Sequence, residues 1–501
     1  MNYKKLLNDP KFIIIALLLF SILIRLIFKN GGLFHFDSYA DARTVEQILE
    51  TGKMQYSYAY GSPTTMLLVF IFFILDHLLR GVNHAEAAYF LVTFLTAALS
   101  VVLLYLITKK ITKNNFISAA AALLLSLNPI FLAVTTYPKT HAISLFFALL
   151  GGYLLLISSE KYSLKYLILS GLSFGLMIGT RPLDVLFVLP FALLYFSPKI
   201  KNKALILDKK KFNLKNIITF CVSTAIIPIL LFLPWWLEQG FSDFLSKINP
   251  EVETRGGWLG LFSENTMPSF LSIKDSFTWI GIALAGLGSI YLYLKKKKYL
   301  LFVLLFWFAI NFFLIGNLAR VHARFLIPTF IPIAILIALG LRMIHVKNKM
   351  AAVVILLILL GGMFSIAYPI INYRHNYSGT KEFALFVQEN TPANSVVMSN
   401  DLGFFIEYYG DRTKIAHPRN GNDEDISAFI QELKDYLDSG TEVYSTEEGF
   451  GIDPEQKVLA AIQENFDVEF IGEKESEWYG GSSMELKPYN EKLFKLVLKN
   501  Q

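Results

Sequence analysis

Long apolar runs occupy most of the first 370 residues and limit what this chain can fold into. A helix needs about 20 apolar residues to cross the hydrocarbon core of a bilayer, with a range near 17–25. The chain has 54% hydrophobic and only 17% charged residues, against about 25% charged residues in a soluble domain. It is therefore predicted to be a polytopic α-helical membrane protein. The eleven predicted spans are Phe12–Phe28, Ala87–Leu106, Phe116–Val134, Ala142–Ile157, Tyr166–Ile178, Leu183–Phe196, Ile217–Leu237, Phe277–Leu294, Leu300–Ile315, Phe325–Leu341 and Ala351–Tyr368.

Basic residues predict the orientation of these spans, because lysine and arginine collect in cytoplasmic loops. A twelfth apolar run, Thr64–Leu79, decides the outcome. If it does not cross, every basic loop lies on the same side as Met1, and if it crosses, all of them move outside. We therefore predict that Thr64–Leu79 is a re-entrant or interfacial helix on the outer face. The basic loops are Lys109–Lys113, Glu160–Lys165, Lys199–Lys215, Lys295–Lys298 and Arg342–Lys349.

Residues 371–501 differ from the rest of the chain in charge. They hold 12 lysines and arginines against 24 aspartates and glutamates, whereas the remainder is strongly basic. We predict a transmembrane domain over residues 1–370 and an extracytoplasmic soluble α/β domain over residues 371–501. Hydrophobic periodicity predicts helices in this tail at Gly379–Glu389 and Asp423–Leu437, and strands at Ser395–Met398, Thr441–Tyr444, Phe466–Ile471 and Leu493–Leu498.

The first predicted outer loop, Lys29–Pro63, contains a short polar helix with acidic residues at its start. Apolar residues recur at helical spacing after Asp37, and Gly52 supplies a stop signal. The helix is too short and too polar to span, so we expect it in the membrane interface. Asp41 follows Asp37 by one turn on the same face. Asp37 either caps the helix, as aspartate does well, or is a functional carboxylate, and the residues alone leave both interpretations open.

Several short motifs, in this order along the chain, resemble the membrane glycosyltransferases of the GT-C fold. The stretch Phe36-Asp37 … Arg43 … Glu46 … Gly52 is most similar to the catalytic subunit of oligosaccharyltransferases. The superfamily also includes protein O-mannosyltransferases and the bacterial aminoarabinose transferases that modify lipid A. Further similar segments are Ser62-Pro63 with the apolar helix after it, Leu104–Lys110, Asn128-Pro129, Arg324–Pro328, Glu389–Pro392, Ser399–Gly403 and Tyr409–Arg412.

The resemblance implies a GT-C fold, about eleven transmembrane helices and a sugar donor carried on a polyprenyl (dolichyl or undecaprenyl) phosphate. The transmembrane domain would be catalytic and would move the sugar to a protein, lipid or glycan acceptor on the outer face of the membrane. Asp37 would act as general base on the acceptor hydroxyl in one inverting displacement, with Asp41 assisting. No nucleic acid is expected as a partner, and the chain has no Walker or dinucleotide-binding motif for a soluble nucleotide.

Cations at the outer ends of the predicted spans are the candidates for binding the donor phosphate, because arginine matches phosphate geometry with two parallel hydrogen bonds. Arg181 closes the fifth span, and Arg320, His322 and Arg324 fall in one short outer turn. Lys139, in the second outer loop, is a weaker candidate. Each of these side chains could instead be interfacial and simply extend its charge to water.

Acceptor binding or support of the site is assigned to His35, Arg43, His141, Glu253 and Arg255. Many relatives carry a second acid in the second outer loop, where this chain has His141. No obligatory cofactor is therefore expected and no metal ligands are assigned, although a divalent metal held by Asp37 and Asp41 stays open. The tail has Asn400-Asp401-Leu402-Gly403 where oligosaccharyltransferases have a tryptophan-rich motif, which argues against glycosylation of sequons.

Two other classes stay open beside this transferase. An oligosaccharyltransferase-like enzyme or a polysaccharide ligase would use similar lipid-linked donors, and a non-enzymatic transporter or flippase would bind them without transfer. Transporters often show inverted repeats and helices broken at the midplane, and this sequence shows neither. The single cysteine, Cys221, excludes an internal disulfide and a cysteine-based metal site.

Overall fold

The computed structural model describes residues 9–56, 62–196, 199–201, 204–206, 213–242, 266–316, 323–415, 418, 422–451, 455–477 and 486–499. The chain divides into two units. The first is built mainly from Met1–Lys29 and Ala40–Ile371, and the second mainly from Asn30–Tyr39, Asn372–Gly481 and Glu485–Gln501. The second unit therefore takes a segment from the loop after the first helix in addition to the tail.

Apolar helices build the first unit. Several begin at side-chain caps: the side chains of Asp9, Asn114 and Asn213 each accept a hydrogen bond from a backbone N–H of the following first turn. In chain order the helices up to residue 376 are α1 (Pro10–Ile27), α2 (Phe36–Thr51), α3 (Pro63–Arg80), α4 (Glu86–Thr112), α5 (Asn115–Ser126), α6 (Pro129–Thr135), α7 (Thr140–Lys161), α8 (Leu164–Thr180), α9 (Val188–Tyr195), α10 (Leu214–Gln239), α11 (Thr266–Leu294), α12 (Lys298–Ile310), α13 (Ile327–Lys347) and α14 (Lys349–Asn376).

Irregular helical turns connect some of these elements. The 3₁₀ turns Pro182–Phe187 and Ala323–Leu326 lead into α9 and α13, and a π-helical segment, Asn311–Gly316, follows α12. The strands β1 (Lys199–Lys201) and β2 (Ala204–Ile206) form an antiparallel pair.

Among the described residues, eight helices are long and apolar enough to cross a membrane, or nine if α5 and α6 are one bent span. These helices identify an integral membrane protein. All eleven predicted spans fall on helices, and three of those helices are shorter than a full span. The run Thr64–Leu79 is helix α3, which passes the same length test. Its predicted failure to cross, the span count and the orientation stay predictions.

The predicted span Phe116–Val134 is not one straight helix. Helices α5 and α6 meet at an angle of 57°. Pro129 has no N–H to continue the hydrogen bonds of α5, and the Asn128 side chain accepts a hydrogen bond from the Phe131 N–H to start α6. Helix α11 is also interrupted, at Thr278, where φ is 61° and ψ is 168°.

Small residues bring α11 and α13 into backbone contact. A Cβ added at Gly288 would lie 1.9 Å from the carbonyl oxygen of Leu336, and one at Gly340 would lie 2.1 Å from that of Leu284. Close approach through glycine is a common way for helices to associate in membranes, where no hydrophobic force drives them together. This contact lies in the second half of α13, the helix that follows the turn Ala323–Leu326.

The second unit is an α/β domain around a five-stranded sheet of order β4-β3-β5-β7-β6. Strand β3 pairs in parallel with β4 and β5, and β7 pairs antiparallel with β5 and β6. The strands are β3 (Val396–Met398), β4 (Thr413–Ile415), β5 (Val443–Thr446), β6 (Phe466–Glu477) and β7 (Pro488–Leu498), and the helices are α15 (Gly379–Asn390), α16 (Leu402–Gly410), α17 (Asp423–Asp438), α18 (Glu447–Phe450) and α19 (Lys457–Asn465).

The two helices and four strands predicted in the tail correspond to α15, α17, β3, β5, β6 and β7. Helices α16, α18 and α19 and strand β4 were not predicted. The apolar face of α17 packs on the sheet through Ile426, Phe429, Ile430 and Leu433, which are all buried.

The segment Asn30–Tyr39 is bound to the tail by hydrogen bonds from its backbone. The Leu33 N–H donates to the Tyr409 hydroxyl at 2.7 Å, and the Thr380 hydroxyl donates to the Leu33 carbonyl at 3.1 Å. The Gly31 N–H donates to the carbonyl of Arg374. This segment, which contains Asp37, is therefore an integral part of the second unit.

Candidate functional site

Arg181 lies at the end of α8 in a buried network of polar side chains. Its guanidinium donates to the His141 ring, with Nη1 2.9 Å from Nε2, and its Nε lies 3.2 Å from Asp184 Oδ2. The Ser144 hydroxyl donates to the same Asp184 oxygen. Arg181, His141 and Asp184 are each no more than 6% exposed. Arg181 is thus not an interfacial side chain that extends to water, and Asp184 and Ser144 are site residues that sequence reasoning missed.

Arg324 is the second buried arginine of this cluster. It lies in the 3₁₀ turn Ala323–Leu326, is 6% exposed, and its Nε and Nη1 have no hydrogen-bond partner within the described part of the chain. The ring of Phe325 contacts both cations, since its centroid is 5.4 Å from Cζ of Arg324 and 5.2 Å from Cζ of Arg181. The ring of His141 is 5.8 Å from that of Phe325. The structure therefore brings Arg181, Arg324 and His141 together, although they are far apart in the sequence.

Lys139 is at the N-cap position of α7, two residues before His141, and is 1% exposed. Its backbone N–H donates to the Thr93 hydroxyl of α4. Lys139, Arg181 and Arg324 are therefore all buried cationic side chains. Buried positive charge is costly unless an anion neutralises it, so these side chains are candidates for an anion site, which we call the Phe325 cluster (Lys139, His141, Arg181, Arg324 and Phe325).

Two acids of α2 are engaged by the first turn of α4. Asp41, 3% exposed, accepts a hydrogen bond from the Tyr89 hydroxyl at 2.6 Å. Glu46, 4% exposed, accepts one from the Ala85 N–H at 2.8 Å. Arg43 pairs with Glu46 and with Glu50. These contacts hold α2 against α4, which gives Asp41, Glu46 and Arg43 a structural role in addition to any role in chemistry.

Asp37 lies in the first turn of α2, within the part that belongs to the second unit. Its side chain is 36% exposed, and its Oδ2 lies 3.6 Å from Nδ1 of His35, which also accepts a hydrogen bond from the Asp37 N–H. The carbonyl of His35 accepts hydrogen bonds from the N–H groups of Ser38 and Tyr39. Asp37 and His35 are thus neighbours, as expected of a carboxylate with a supporting imidazole.

Four predicted site residues lie outside the described residues: Arg320 and His322 in the turn before Ala323, and Glu253 and Arg255 in the loop before α11. Within the described ranges, no group of three or more histidine, cysteine, aspartate and glutamate side chains is placed to hold a metal ion. The expectation that no metal is obligatory stays a prediction.

Comparison with known proteins supports the fold. Residues 65–237 match the family model described as dolichyl-phosphate-mannose-protein mannosyltransferase. No curated protein sequence matches the chain.

Solved structures of two kinds are similar over nearly the whole chain. ArnT from Cupriavidus metallidurans, bound to undecaprenyl phosphate, aligns with a TM-score of 0.60 and 9% identity over 96% of this chain and 97% of that one. The apo oligosaccharyltransferase of Archaeoglobus fulgidus aligns with a TM-score of 0.58 and 15% identity over 91% of this chain and 73% of that one. The chain therefore has the GT-C fold that its motifs predicted.

Proposed function

We propose that this protein is a membrane glycosyltransferase that takes its sugar from a polyprenyl-phosphate carrier and transfers it to an acceptor on the outer face of the membrane. The proposal rests on one observation in the Phe325 cluster. Arg324 is a buried guanidinium with two donors that no described residue uses. A fold shared with a protein that binds undecaprenyl phosphate makes a lipid-linked phosphate the ligand that best fits these donors.

Electrostatics supports the same ligand. A phosphate ester offers several acceptor oxygens to the fork of donors on Arg324, and bidentate pairing of this kind is among the stronger hydrogen-bonded contacts. Arg181 forms a hydrogen bond with His141 and an ion pair with Asp184, so its position is fixed before the ligand binds. Charge-stabilising groups that are held in place in advance cost no reorganisation when the reaction occurs.

The reaction we propose is one displacement at the anomeric carbon of the donor. The acceptor hydroxyl oxygen forms the new bond, its proton passes to the Asp37 carboxylate, and the bond from the anomeric carbon to the phosphate oxygen breaks. The polyprenyl phosphate leaves with additional negative charge, which Arg181 and Arg324 neutralise. One displacement inverts the configuration of the sugar. The proposal covers the class of donor and the reaction, for any sugar and any hydroxyl acceptor.

Donor binding tests the phosphate site directly. Polyprenyl phosphate should raise the unfolding temperature of the purified protein in detergent, because a ligand that binds only the folded state stabilises it. Arg324→Ala should abolish this shift and Arg324→Lys should reduce it, since lysine keeps the charge but loses the fork. Arg342→Ala is the matched control, because Arg342 is half-buried near the other end of α13 and pairs with His345.

Transfer tests the activity. Incubation with radiolabelled polyprenyl-phosphate sugars and membrane extracts should move label to an acceptor. A protein that binds polyprenyl phosphate through Arg324 but never transfers label would be a carrier or flippase. An unchanged thermal shift in Arg324→Ala would remove the Phe325 cluster from the donor site.

A further inference from the structure

Glu448 and Glu491, two acidic residues of the second unit, line a cavity of about 450 Å³ beside β7. Glu491 is 2% exposed, and its Oε1 accepts a hydrogen bond from the Glu448 N–H at 2.7 Å. The Glu491 carboxylate is thus bound to the backbone of Glu448, and both side chains line the same cavity.

The Glu448 carboxylate binds the start of α16. It accepts hydrogen bonds from the Leu402 N–H at 3.1 Å and from the Asp401 N–H at 3.3 Å. The first N–H groups of a helix have no partner within the helix, so a carboxylate there both satisfies them and complements the helix dipole. The Asp401 side chain forms no capping hydrogen bond at this helix start. Glu448, from a distant part of the chain, accepts the hydrogen bonds instead.

The remainder of α16 holds the segment Asn30–Tyr39. Tyr409 accepts the hydrogen bond from the Leu33 N–H, and Glu407 accepts one from the Tyr39 hydroxyl at 3.2 Å. The ring of Phe404 lies 4.6 Å from that of Phe36. One short helix therefore connects the Glu448–Glu491 pair to the residues on both sides of Asp37.

We propose that Glu448 and Glu491 are positioning residues, which set the placement of Asp37 by holding the start of α16 and which make that placement depend on pH. The proposal rests on the proposed function only for its consequence in catalysis. Its structural part concerns the second unit alone and is testable without any substrate.

The protonation chemistry of the pair gives the pH range. The pKa of Glu448 and that of Glu491 are each raised to about 7, mainly by burial, and the charge of Glu448 contributes to the raised pKa of Glu491. Asp401 and Glu447 act in the same direction, whereas Lys414 and the backbone N–H groups favour the charged forms. Two more groups complete the surroundings, because Lys487 lines the cavity and the Tyr489 hydroxyl bonds to Glu491.

The direction in which pH changes the stability of this arrangement follows from proton linkage. A carboxyl that binds its proton more tightly in the native arrangement than in the opened one stabilises the native arrangement fully below about pH 4.5, and this stabilisation is lost as pH rises to about 7. Above pH 7 both carboxylates are charged and repel each other. The start of α16 should then loosen, and the Asn30–Tyr39 segment with it.

Hydrogen exchange of the Leu33 amide measures this loosening. After correction for the intrinsic rate, its opening equilibrium in the intact protein should increase about tenfold between pH 6 and pH 8 for each proton released by a group of pKa about 7. Glu491→Gln keeps an oxygen for the Glu448 N–H but removes one of the two titrating carboxyls, so the response should shrink from about hundredfold in the parent protein to the about tenfold response of Glu448 alone. Glu469→Gln, an exposed glutamate of β6, is the matched control and should behave as the parent protein does.

Tyr409→Phe keeps the assay decisive if Glu491→Gln unfolds. This variant removes the acceptor of the Leu33 N–H without touching the acid pair, so the amide should exchange fast at both pH values. An equally large response in Glu491→Gln and in the parent protein, or a parent protein without any response, would overturn the proposal.

The pH profile of transfer provides the readout in catalysis. Turnover of the parent protein should fall from pH 6.5 to pH 8, and Glu491→Gln should extend activity to higher pH while Glu469→Gln does not. If neither the parent protein nor any variant transfers sugar but the hydrogen-exchange results are as expected, the proposed function fails. The positioning role of Glu448 and Glu491 in the second unit then still holds. If transfer is normal and the two profiles coincide, the positioning role fails and the transferase stands.

Discussion

Individual residues of the Phe325 cluster show what the sequence can and cannot reveal. Arg181 and Arg324 could be predicted because an arginine at the end of an apolar run is costly and needs a reason. Asp184 could not, because it lies in an apolar stretch where a single acid looks like any polar interruption, and its contact with Ser144 joins residues 40 positions apart. Phe325 falls in the segment Arg324–Pro328 that resembles the GT-C glycosyltransferases, but the sequence did not show that its ring would contact both arginines.

Asp37→Asn separates a catalytic carboxylate from a structural one at the residue scale. Asparagine performs nearly as well as aspartate at a helix start, so the variant should fold and should still bind polyprenyl phosphate. Its amide accepts no proton, and loss of a general base typically lowers the rate by about 10²–10⁴-fold. Single-turnover transfer from a radiolabelled donor is the measurement.

Asp41→Asn is the matched control for Asp37→Asn, one helical turn away. Its amide oxygen still accepts the hydrogen bond of the Tyr89 hydroxyl, so the docking of α2 on α4 should persist and turnover should change little. Full activity in Asp37→Asn together with a large loss in Asp41→Asn would move the base to Asp41.

Apolar periodicity predicts the positions of helices and strands well, but it does not predict where a helix breaks. The sequence predicted one helix over Phe116–Val134, and the structure has two that meet at 57°. Asn128-Pro129 is the signal for that break, but a proline within an apolar run also occurs inside continuous helices here, as at Pro228 and Pro234 of α10. What distinguishes the two cases is the Asn128 cap, whose contribution depends on its side-chain geometry.

Gly288→Ala tests the contact between α11 and α13. The added Cβ would meet the Leu336 carbonyl oxygen at 1.9 Å, so the helices must separate, and overpacking of this kind costs about 1–3 kcal/mol. The unfolding temperature of the purified protein should fall. Gly286→Ala, two residues away on the same helix, meets nothing within 4 Å and should leave the unfolding temperature unchanged or slightly higher, because alanine favours the helix. Equal temperatures for both variants would show that the two helices do not touch in the membrane.

At the scale of the whole molecule, hydropathy and charge were enough to predict a polytopic helical membrane protein with a distinct tail, and the motif resemblance was needed for the GT-C fold. The make-up of the second unit needed the structure. Charge marks the tail as distinct from the basic, apolar region. Nothing in the composition of Asn30–Tyr39 assigns it to that tail, because the assignment depends on contacts such as that of Leu33 with Tyr409, 376 positions away. Periodicity reports on neighbours along the chain and contains no information on such pairs.

The orientation of the molecule is open to a direct test. With Thr64–Leu79 on the outer face and not crossing, a reporter fused after residue 501 should behave as extracytoplasmic. In a Cys221→Ser background, cysteines placed at Ser62 and at Asn83 should both react with an impermeant reagent from outside, because both ends of α3 would lie on that face. Labelling at only one of them would show that α3 crosses the membrane.

The split origin of the second unit sets an order in time for how this protein is made. The ribosome releases Asn30–Tyr39 about 330 residues before Asn372, the first residue of the tail that binds it. At synthesis rates of about 5–20 residues per second, the segment with Asp37 waits for some 15–70 s without its partners. Leu33, Phe34 and Tyr39, all buried in the finished unit, stay exposed through that interval. Synthesis of the tail, rather than insertion of the first helix, is therefore the step that lets the region of Asp37 take its final form.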